Sequence, residues 1–132
     1  MREIPVGVSG IYTQKVVPSD LANQFKDTAL PPVFATPMMI RAMENAALNA
    51  IRDYLEPGES AVGTAVDIKH LAATPTGHQV TATATVTRVE GRRIWFDVTA
   101  RDEIENIGSG THERMVIDLK RLSQKLAQKA AP

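Results

Sequence analysis

Residues Ala35 to Ile51 have the sequence ATPMMIRAMENAALNAI, and this stretch decides the fold. It predicts a long helix, because Thr36 suits the N-cap position and Pro37 suits the first helical position. At roughly 100° per residue the apolar side chains share one broad arc. The members of this arc are Met39, Ile40, Met43, Ala46, Ala47, Leu48, Ala50, Ile51 and Tyr54. Because the arc is wider than a surface helix requires, we expect the helix to be covered on several sides.

Five strands are predicted around this helix, one before it and four after it. In residues 79–90, valine and alanine alternate with threonine, the period of two that is typical of a half-buried strand. The strands are expected at residues 7–17, 61–72, 79–90, 92–102 and 108–119, the last four as a meander. The predicted fold is therefore α+β. It is a single hotdog domain over residues 1–132, in which a curved antiparallel β-sheet wraps around a long central α-helix. Its core spans about 7–119, and residues 120–132 form a C-terminal tail.

Composition excludes several classes of function. The 15 basic and 15 acidic residues cancel, so we expect no nucleic-acid partner. There is no cysteine, and the three histidines lack metal-ligand spacing, so no metal site is predicted. No apolar run approaches the roughly 20 residues of a membrane span, and the first residues lack the apolar segment of a signal peptide. We therefore expect a cytoplasmic protein without a membrane partner.

Two polar residues interrupt apolar faces. Glu44 falls inside the apolar arc of the helix, between Ile40 and Leu48, where an unpaired carboxylate is costly. His70 lies on the same predicted strand face as Val66 and Ile68. Taken alone, a histidine on an apolar face is more often a hydrogen-bonded core residue, whereas such a glutamate is as often structural as catalytic. Two of them on elements that must pack together favour a functional site.

Thr36 and the glycine-rich segment at 108–114 have two readings each. Thr36 serves as a helix cap, or it places a hydroxyl beside backbone N–H groups that polarise a carbonyl. The segment GSGTHER is a bulged strand start or a substrate contact. Its glycines are a weak phosphate signal, because they do not open a helix.

Six short runs of the sequence resemble the fluoroacetyl-CoA thioesterase family of hotdog proteins. They are VFAT at 33–36, YLEPGE at 54–59, GTA at 63–65, HLAATP at 70–75, VEGRR at 89–93 and GSGTHER at 108–114. The resemblance extends from about Val33 to Leu119. It implies a catalytic set of Thr36, Glu44 and His70, and substrate contacts from Gly63 and Arg114. It also implies a homodimer, and coenzyme A as the carrier part of the substrate rather than as a separate cofactor.

The function expected from these observations is hydrolysis of a short-chain acyl-CoA to the free acid and coenzyme A. Phe34, with Met39 and Met43, is expected to line the acyl pocket. One alternative is a non-catalytic module that binds acyl-CoA. A less favoured one is an enoyl-CoA hydratase, which needs an Asp/His pair; Asp67 points away from His70 on the predicted strand. The sequence leaves open whether Thr36, Glu44 or water attacks the thioester.

Overall fold

A computed structural model of the chain describes residues 1–131. Its strands are β1 (Ser9–Lys15), β2 (Glu59–His70), β3 (Gln79–Glu90), β4 (Arg93–Arg101) and β5 (Asn106–Asp118). Its α-helices are α1 (Ala22–Phe25), α2 (Thr36–Ile51) and α3 (Leu119–Ala130), and short 3-10 turns occupy Pro18–Asp20 and Arg52–Tyr54. The predicted long helix and five strands are confirmed, with ends displaced by a few residues. Pro132, the last residue of the predicted tail, lies outside the described residues.

The strands form one antiparallel sheet in the order β1-β3-β4-β5-β2. The prediction of a four-strand meander is wrong, because β2 pairs with β5 and not with β3. The cause is the connection at residues 71–78, which crosses the sheet. It starts beside β5, where the Leu71 amide donates to the Ile107 carbonyl. It ends beside β1, where the Gly77 amide donates to the Val16 carbonyl.

The apolar arc of α2 packs against the inner face of the sheet. The helix residues that are fully or nearly fully buried are Met39, Ala42, Met43, Ala46, Ala47, Ala50 and Ile51. Their partners on β3 and β4 are Val80, Ala82, Ala84, Val86, Ile94, Phe96, Val98 and Ala100. Burying each of the larger side chains contributes about 1.5–3 kcal/mol. This contact confirms the expected α+β fold, in which the sheet wraps around one long helix.

Helix α2 lies very close to the sheet at Gly10 on β1. A Cβ atom at this position would lie 2.3 Å from the Ala46 carbonyl oxygen and 2.7 Å from the Ala50 Cα. These neighbours are backbone atoms, which cannot turn aside as a flexible side chain can. The small residues in the helix arc are therefore explained by a contact between backbones.

Strand β2 lies at one edge of the sheet and has an open side. Its central residues 62–67 are exposed, including Val62 and Val66, which are 37% and 47% exposed. Twelve residues of unprotected strand edge with exposed valines form a template for pairing with another strand. Within residues 1–131, the helices are too short or too polar to cross a membrane.

The variant Gly10→Ala is expected to lower the free energy of unfolding by about 3 kcal/mol, near the upper end of the usual cost of overpacking. The reason is that the added methyl group meets the backbone of α2. The measurement is urea denaturation followed by circular dichroism. Thr13→Ala, on the exposed face of the same strand, is the control and should change stability by less than about 0.5 kcal/mol. Equal stability of the two variants would contradict the close contact.

Candidate active site

Thr36 is the first residue of α2, and its side chain does not cap the helix. The N-cap is Ala35, which has extended backbone angles, and no side chain caps this end. The N-cap prediction for Thr36 is therefore wrong. Instead, Thr36 Oγ1 forms a 2.8 Å hydrogen bond with His70 Nδ1. The hydroxyl is thus free of the helix and in contact with a group that can act as a base.

His70 is the last residue of β2 and is part-buried. Burial lowers the pKa of its imidazole below the ordinary value of 6.5, and a weaker interaction with the Ala72 backbone raises it in part. The neutral ring is therefore favoured near pH 7. His70 Nε2 is buried and has no hydrogen-bond partner among the described residues. Its two nitrogens thus differ, since Nδ1 contacts Thr36 and Nε2 is unsatisfied.

A cavity of about 340 Å³ adjoins the Thr36–His70 pair. Its walls are formed by Val33, Thr36, His70, Leu71, Ala72 and Ala73. At the first turn of α2, the Met38 and Met39 amides both donate to the Ala35 carbonyl. Pro37 has no N–H group. Among the residues that the structure describes in this turn, the Thr36 amide is therefore the N–H group that remains available to a ligand.

Phe34 does not line this cavity. It is 1% exposed and packs within the core, and its amide donates to the Thr74 carbonyl. Met39 and Met43 are also fully or nearly fully buried and are likewise outside the cavity wall. Contact between Phe34 and a substrate stays a prediction, and in this structure it requires Phe34 to leave the core.

Glu44 lies away from Thr36 and His70 in the same chain. Thr36 and Glu44 are eight residues apart on one helix, which corresponds to about 12 Å at a rise of 1.5 Å per residue. The Glu44 side chain is 39% exposed, so the expected burial of this carboxylate is wrong for a single chain. Its neighbours on the same stripe, Ile40 and Leu48, are also only part-buried. This side of α2 is therefore only partly covered within one chain.

Gly63 and Arg114 gather around the Glu44 carboxylate. Arg114 Nη1 lies 3.6 Å from Glu44 Oε2, and the Arg114 side chain is 8% exposed. A Cβ atom at Gly63 would lie 2.7 Å from Glu44 Oε2, so a side chain here would displace the carboxylate. The three residues form a second cluster near the middle of β2, seven residues from His70 at its end. The chain thus brings together Thr36 with His70, and Glu44 with Gly63 and Arg114.

His112 belongs to the second cluster, and the sequence reasoning missed it. In the sequence, His112 is one of three histidines without metal-ligand spacing and one member of GSGTHER, and neither property marks it as part of a site. The signal was the period of two in β5, which places His112, Arg114 and Val116 on one buried face.

The glycines of the same segment have a packing role. A Cβ at Gly108 would meet Met39 Sδ at 2.5 Å, and one at Gly110 would meet the Asp67 carbonyl oxygen.

Binding of a metal ion would require several His, Cys, Asp or Glu side chains to lie close together. In residues 1–131, no three His, Cys, Asp or Glu side chains are grouped so as to hold a metal ion. The chemistry of the two clusters is therefore that of a hydroxyl, two imidazoles, a carboxylate and a guanidinium group.

The chain is similar to known proteins along most of its length. Residues 16–120 match the family model described as fluoroacetyl-CoA-specific thioesterase. A fluoroacetyl-CoA thioesterase of Streptantibioticus cattleyicolor is 52% identical over 99 residues, which cover 75% of this chain and 71% of the relative.

Two solved structures extend this likeness to the fold. A mutant of the fluoroacetyl-CoA thioesterase in complex with acetyl-CoA is 41% identical, with a TM-score of 0.92 and coverage of 96% of this chain and 99% of the other. A hot-dog-like protein from Thermanaerovibrio acidaminovorans is 26% identical, with a TM-score of 0.87 and coverage of 98% and 95%. Sequence and fold agree along most of the chain, which therefore belongs to the fluoroacetyl-CoA-specific thioesterase family.

Proposed function

We propose that this acyl-CoA thioesterase hydrolyses short-chain acyl-CoA with a site made of Thr36, His70 and Glu44. The observation that carries the proposal is the 2.8 Å hydrogen bond between Thr36 Oγ1 and His70 Nδ1, beside a cavity at the N-terminus of α2. A hydroxyl bonded to a neutral imidazole is the arrangement of an activated nucleophile. The helix N-terminus next to it favours the negative charge that develops on a thioester oxygen.

The proposed reaction begins with transfer of the Thr36 hydroxyl proton to His70. Thr36 Oγ attacks the thioester carbon, and its proton passes to His70 Nδ1. The thioester oxygen gains negative charge, which the Thr36 amide stabilises. When the carbon–sulfur bond breaks, His70 returns the proton to the coenzyme A thiolate and an acyl ester remains on Thr36. Water then hydrolyses this ester with His70 as its base, which releases the free acid.

Glu44 enters the site from a second copy of the chain in this proposal. Within one chain the helix separates Glu44 from Thr36, yet His70 Nε2 is buried without a partner in residues 1–131. A carboxylate that accepts a hydrogen bond from Nε2–H orients the ring and stabilises its protonated form. Antiparallel pairing of two β2 edges around a twofold axis midway between residues 63 and 70, at 66–67, would place His70 of one strand opposite Gly63 of the other. The exposed edge of β2 and the part-exposed stripe of α2 support a homodimer of this kind.

The cavity supports a short acyl group. Its volume of about 340 Å³ is near the lower end for small-molecule sites. Its walls carry Val33, Leu71, Ala72 and Ala73, which provide apolar contacts for an alkyl chain. Coenzyme A is the carrier part of the substrate, as in the relative that was solved with acetyl-CoA. The reaction as proposed needs no further cofactor.

Three substitutions test the catalytic residues. In Thr36→Ala, His70→Ala and Glu44→Gln, kcat for acetyl-CoA hydrolysis should fall at least about a hundredfold, because each removes a proton-transfer or orienting group. Thiol release followed with a chromogenic disulfide is the measurement. Thr13→Ala and Glu105→Gln, both exposed and remote from the cavity, are the matched controls. If His70→Ala and Glu44→Gln both turned over like the native protein, the assignment of the site would be wrong. Binding without thiol release in the native protein would oppose the proposed function itself.

Mixing two inactive variants tests whether the site is shared between chains. In a heterodimer of Thr36→Ala with Glu44→Gln, one of the two sites has intact Thr36, His70 and Glu44. After co-refolding at equal amounts, activity should recover to about a quarter of that of the native protein, since half of the dimers are mixed. If each site lay within one chain, every chain would keep one defect. Activity no higher than the sum of the two variants would contradict the shared site.

The pH dependence of kcat/KM tests the role of His70. As pH falls through the pKa of His70, the ring becomes protonated and can no longer accept the Thr36 proton. We therefore expect an acidic limb whose midpoint is the pKa of His70, which burial lowers and which the proposed contact with Glu44 of the second copy raises. Proton NMR of the native protein and of His70→Gln identifies the imidazole that titrates at this midpoint. The absence of an acidic limb, or a signal retained in the variant, would contradict the assignment.

A further inference from the structure

His112 and Arg114 are polar residues on an otherwise apolar sheet face. They are 2% and 7% exposed, and they lie on β5 beside Phe96 and Ile94 of β4. Buried polar side chains are stable only when they are hydrogen-bonded. The partners of these two residues therefore show what the pair is arranged to hold.

The hydrogen bonds of His112 fix the position of its proton. His112 Nδ1 lies 2.8 Å from the Ala65 carbonyl oxygen, which can only accept, so Nδ1 carries the hydrogen. In the neutral ring Nε2 is then an acceptor, and Arg114 Nη1 donates to it at 3.2 Å. Burial lowers the pKa of His112, the Ala65 hydrogen bond raises it and Arg114 lowers it again. The ring also stacks on Phe96, with its centroid 5.8 Å away.

Arg114 is held at two points, and one of them is His112. Its Nη2 donates to the Ala61 carbonyl at 2.6 Å, and its Nη1 lies between His112 Nε2 and Glu44 Oε2. Nε is buried and has no hydrogen-bond partner in the described part of the chain. With Nη2 anchored, the contact with His112 sets the rotation of the guanidinium plane. That rotation determines where Nη1 meets the Glu44 carboxylate.

The same two residues bracket the irregularity in β2. Pairing between β2 and β5 shifts register between Gly63 and Ala65. Arg114 holds the Ala61 carbonyl before this bulge, and His112 holds the Ala65 carbonyl after it. Gly63 lies between them, and a Cβ there would be 3.4 Å from His112 Cε1 and 2.7 Å from Glu44 Oε2. In this cluster the Glu44 carboxylate lies against Gly63 and beside Arg114 Nη1.

We propose that His112 is a positioning residue for the thioesterase reaction. By accepting from Arg114 Nη1 through Nε2, His112 orients the guanidinium group so that it holds the Glu44 carboxylate above Gly63. This inference rests on the proposed function, because it assigns His112 an effect through Glu44. His112 itself touches neither the substrate nor the reacting atoms.

Two conservative substitutions separate positioning from general support of the fold. His112→Asn keeps a donor for the Ala65 carbonyl but removes the acceptor for Arg114, whereas His112→Gln keeps an acceptor at the position of Nε2. We expect kcat for acetyl-CoA to fall about tenfold to a hundredfold in His112→Asn and by less than about threefold in His112→Gln. KM should change by less than about twofold in both. Thermal denaturation of both variants, with His78→Asn as the control for a histidine outside the cluster, reports their folding.

A double-mutant cycle tests whether His112 acts through Arg114. In the Arg114→Lys background the acceptor at position 112 no longer has its partner, so adding His112→Asn should lower kcat by less than about twofold. Independent, multiplied effects would overturn the inference. Native-like kcat in His112→Asn would also overturn it, as would equal losses in His112→Asn and His112→Gln that follow their stability. The proposed function fails separately if the native protein releases no thiol or if Glu44→Gln is fully active.

Discussion

The rise of the α-helix is the constraint on which the candidate site depends. Thr36 and Glu44 are on one rigid helix, eight residues apart, and no side-chain rotation closes the roughly 12 Å between them. The polar groups of the chain are accordingly divided into two clusters, one at the His70 end of β2 and one near Gly63 in the middle of the strand. Each cluster has a conspicuous deficit, an unsatisfied His70 Nε2 in one and a part-exposed carboxylate in the other. The symmetric partner proposed above would resolve both deficits with the same contact.

The sequence predicted the secondary structure well because its signals are local. Alternation in β3 and the breadth of the apolar arc in α2 depend on neighbours within a few residues, and the structure confirms both elements. The place of β2 in the sheet was predicted wrongly, because a strand's partner depends on the path of the connection at 71–78. The prediction that Thr36 is the N-cap of α2 was also wrong. Ala35 adopts the extended backbone of a cap without a capping side chain, and the Thr36 hydroxyl bonds to a residue 34 positions away.

For the site, the place of Glu44 in the apolar arc marks it as unusual, but the burial predicted from the arc is wrong for a single chain. The arc measures direction around the helix axis and not what covers that direction. Ile40, Glu44 and Leu48 are only part-buried in their own chain, and the carboxylate is paired with Arg114. The buried face of His112 is visible in the period of two of β5, but its contact with the Ala65 carbonyl is not, because backbone acceptors leave no trace in a sequence pattern.

The two ends of α2 are packed against the sheet differently. The end near Gly10 is held by backbone contacts, and the other end is held by flexible side chains. Near Ala46 and Ala50 the helix rests on strand backbone, which leaves no room for displacement. Near its start the helix contacts the sheet through a long, unbranched thioether side chain of its own, with Met39 Sδ against Gly108. Methionine repacks readily around altered shapes. Substitutions beside Met39 can therefore reshape the first turn of α2, where Thr36 adjoins the cavity, while the half of the helix that carries Ala46 and Ala50 keeps its register on β1.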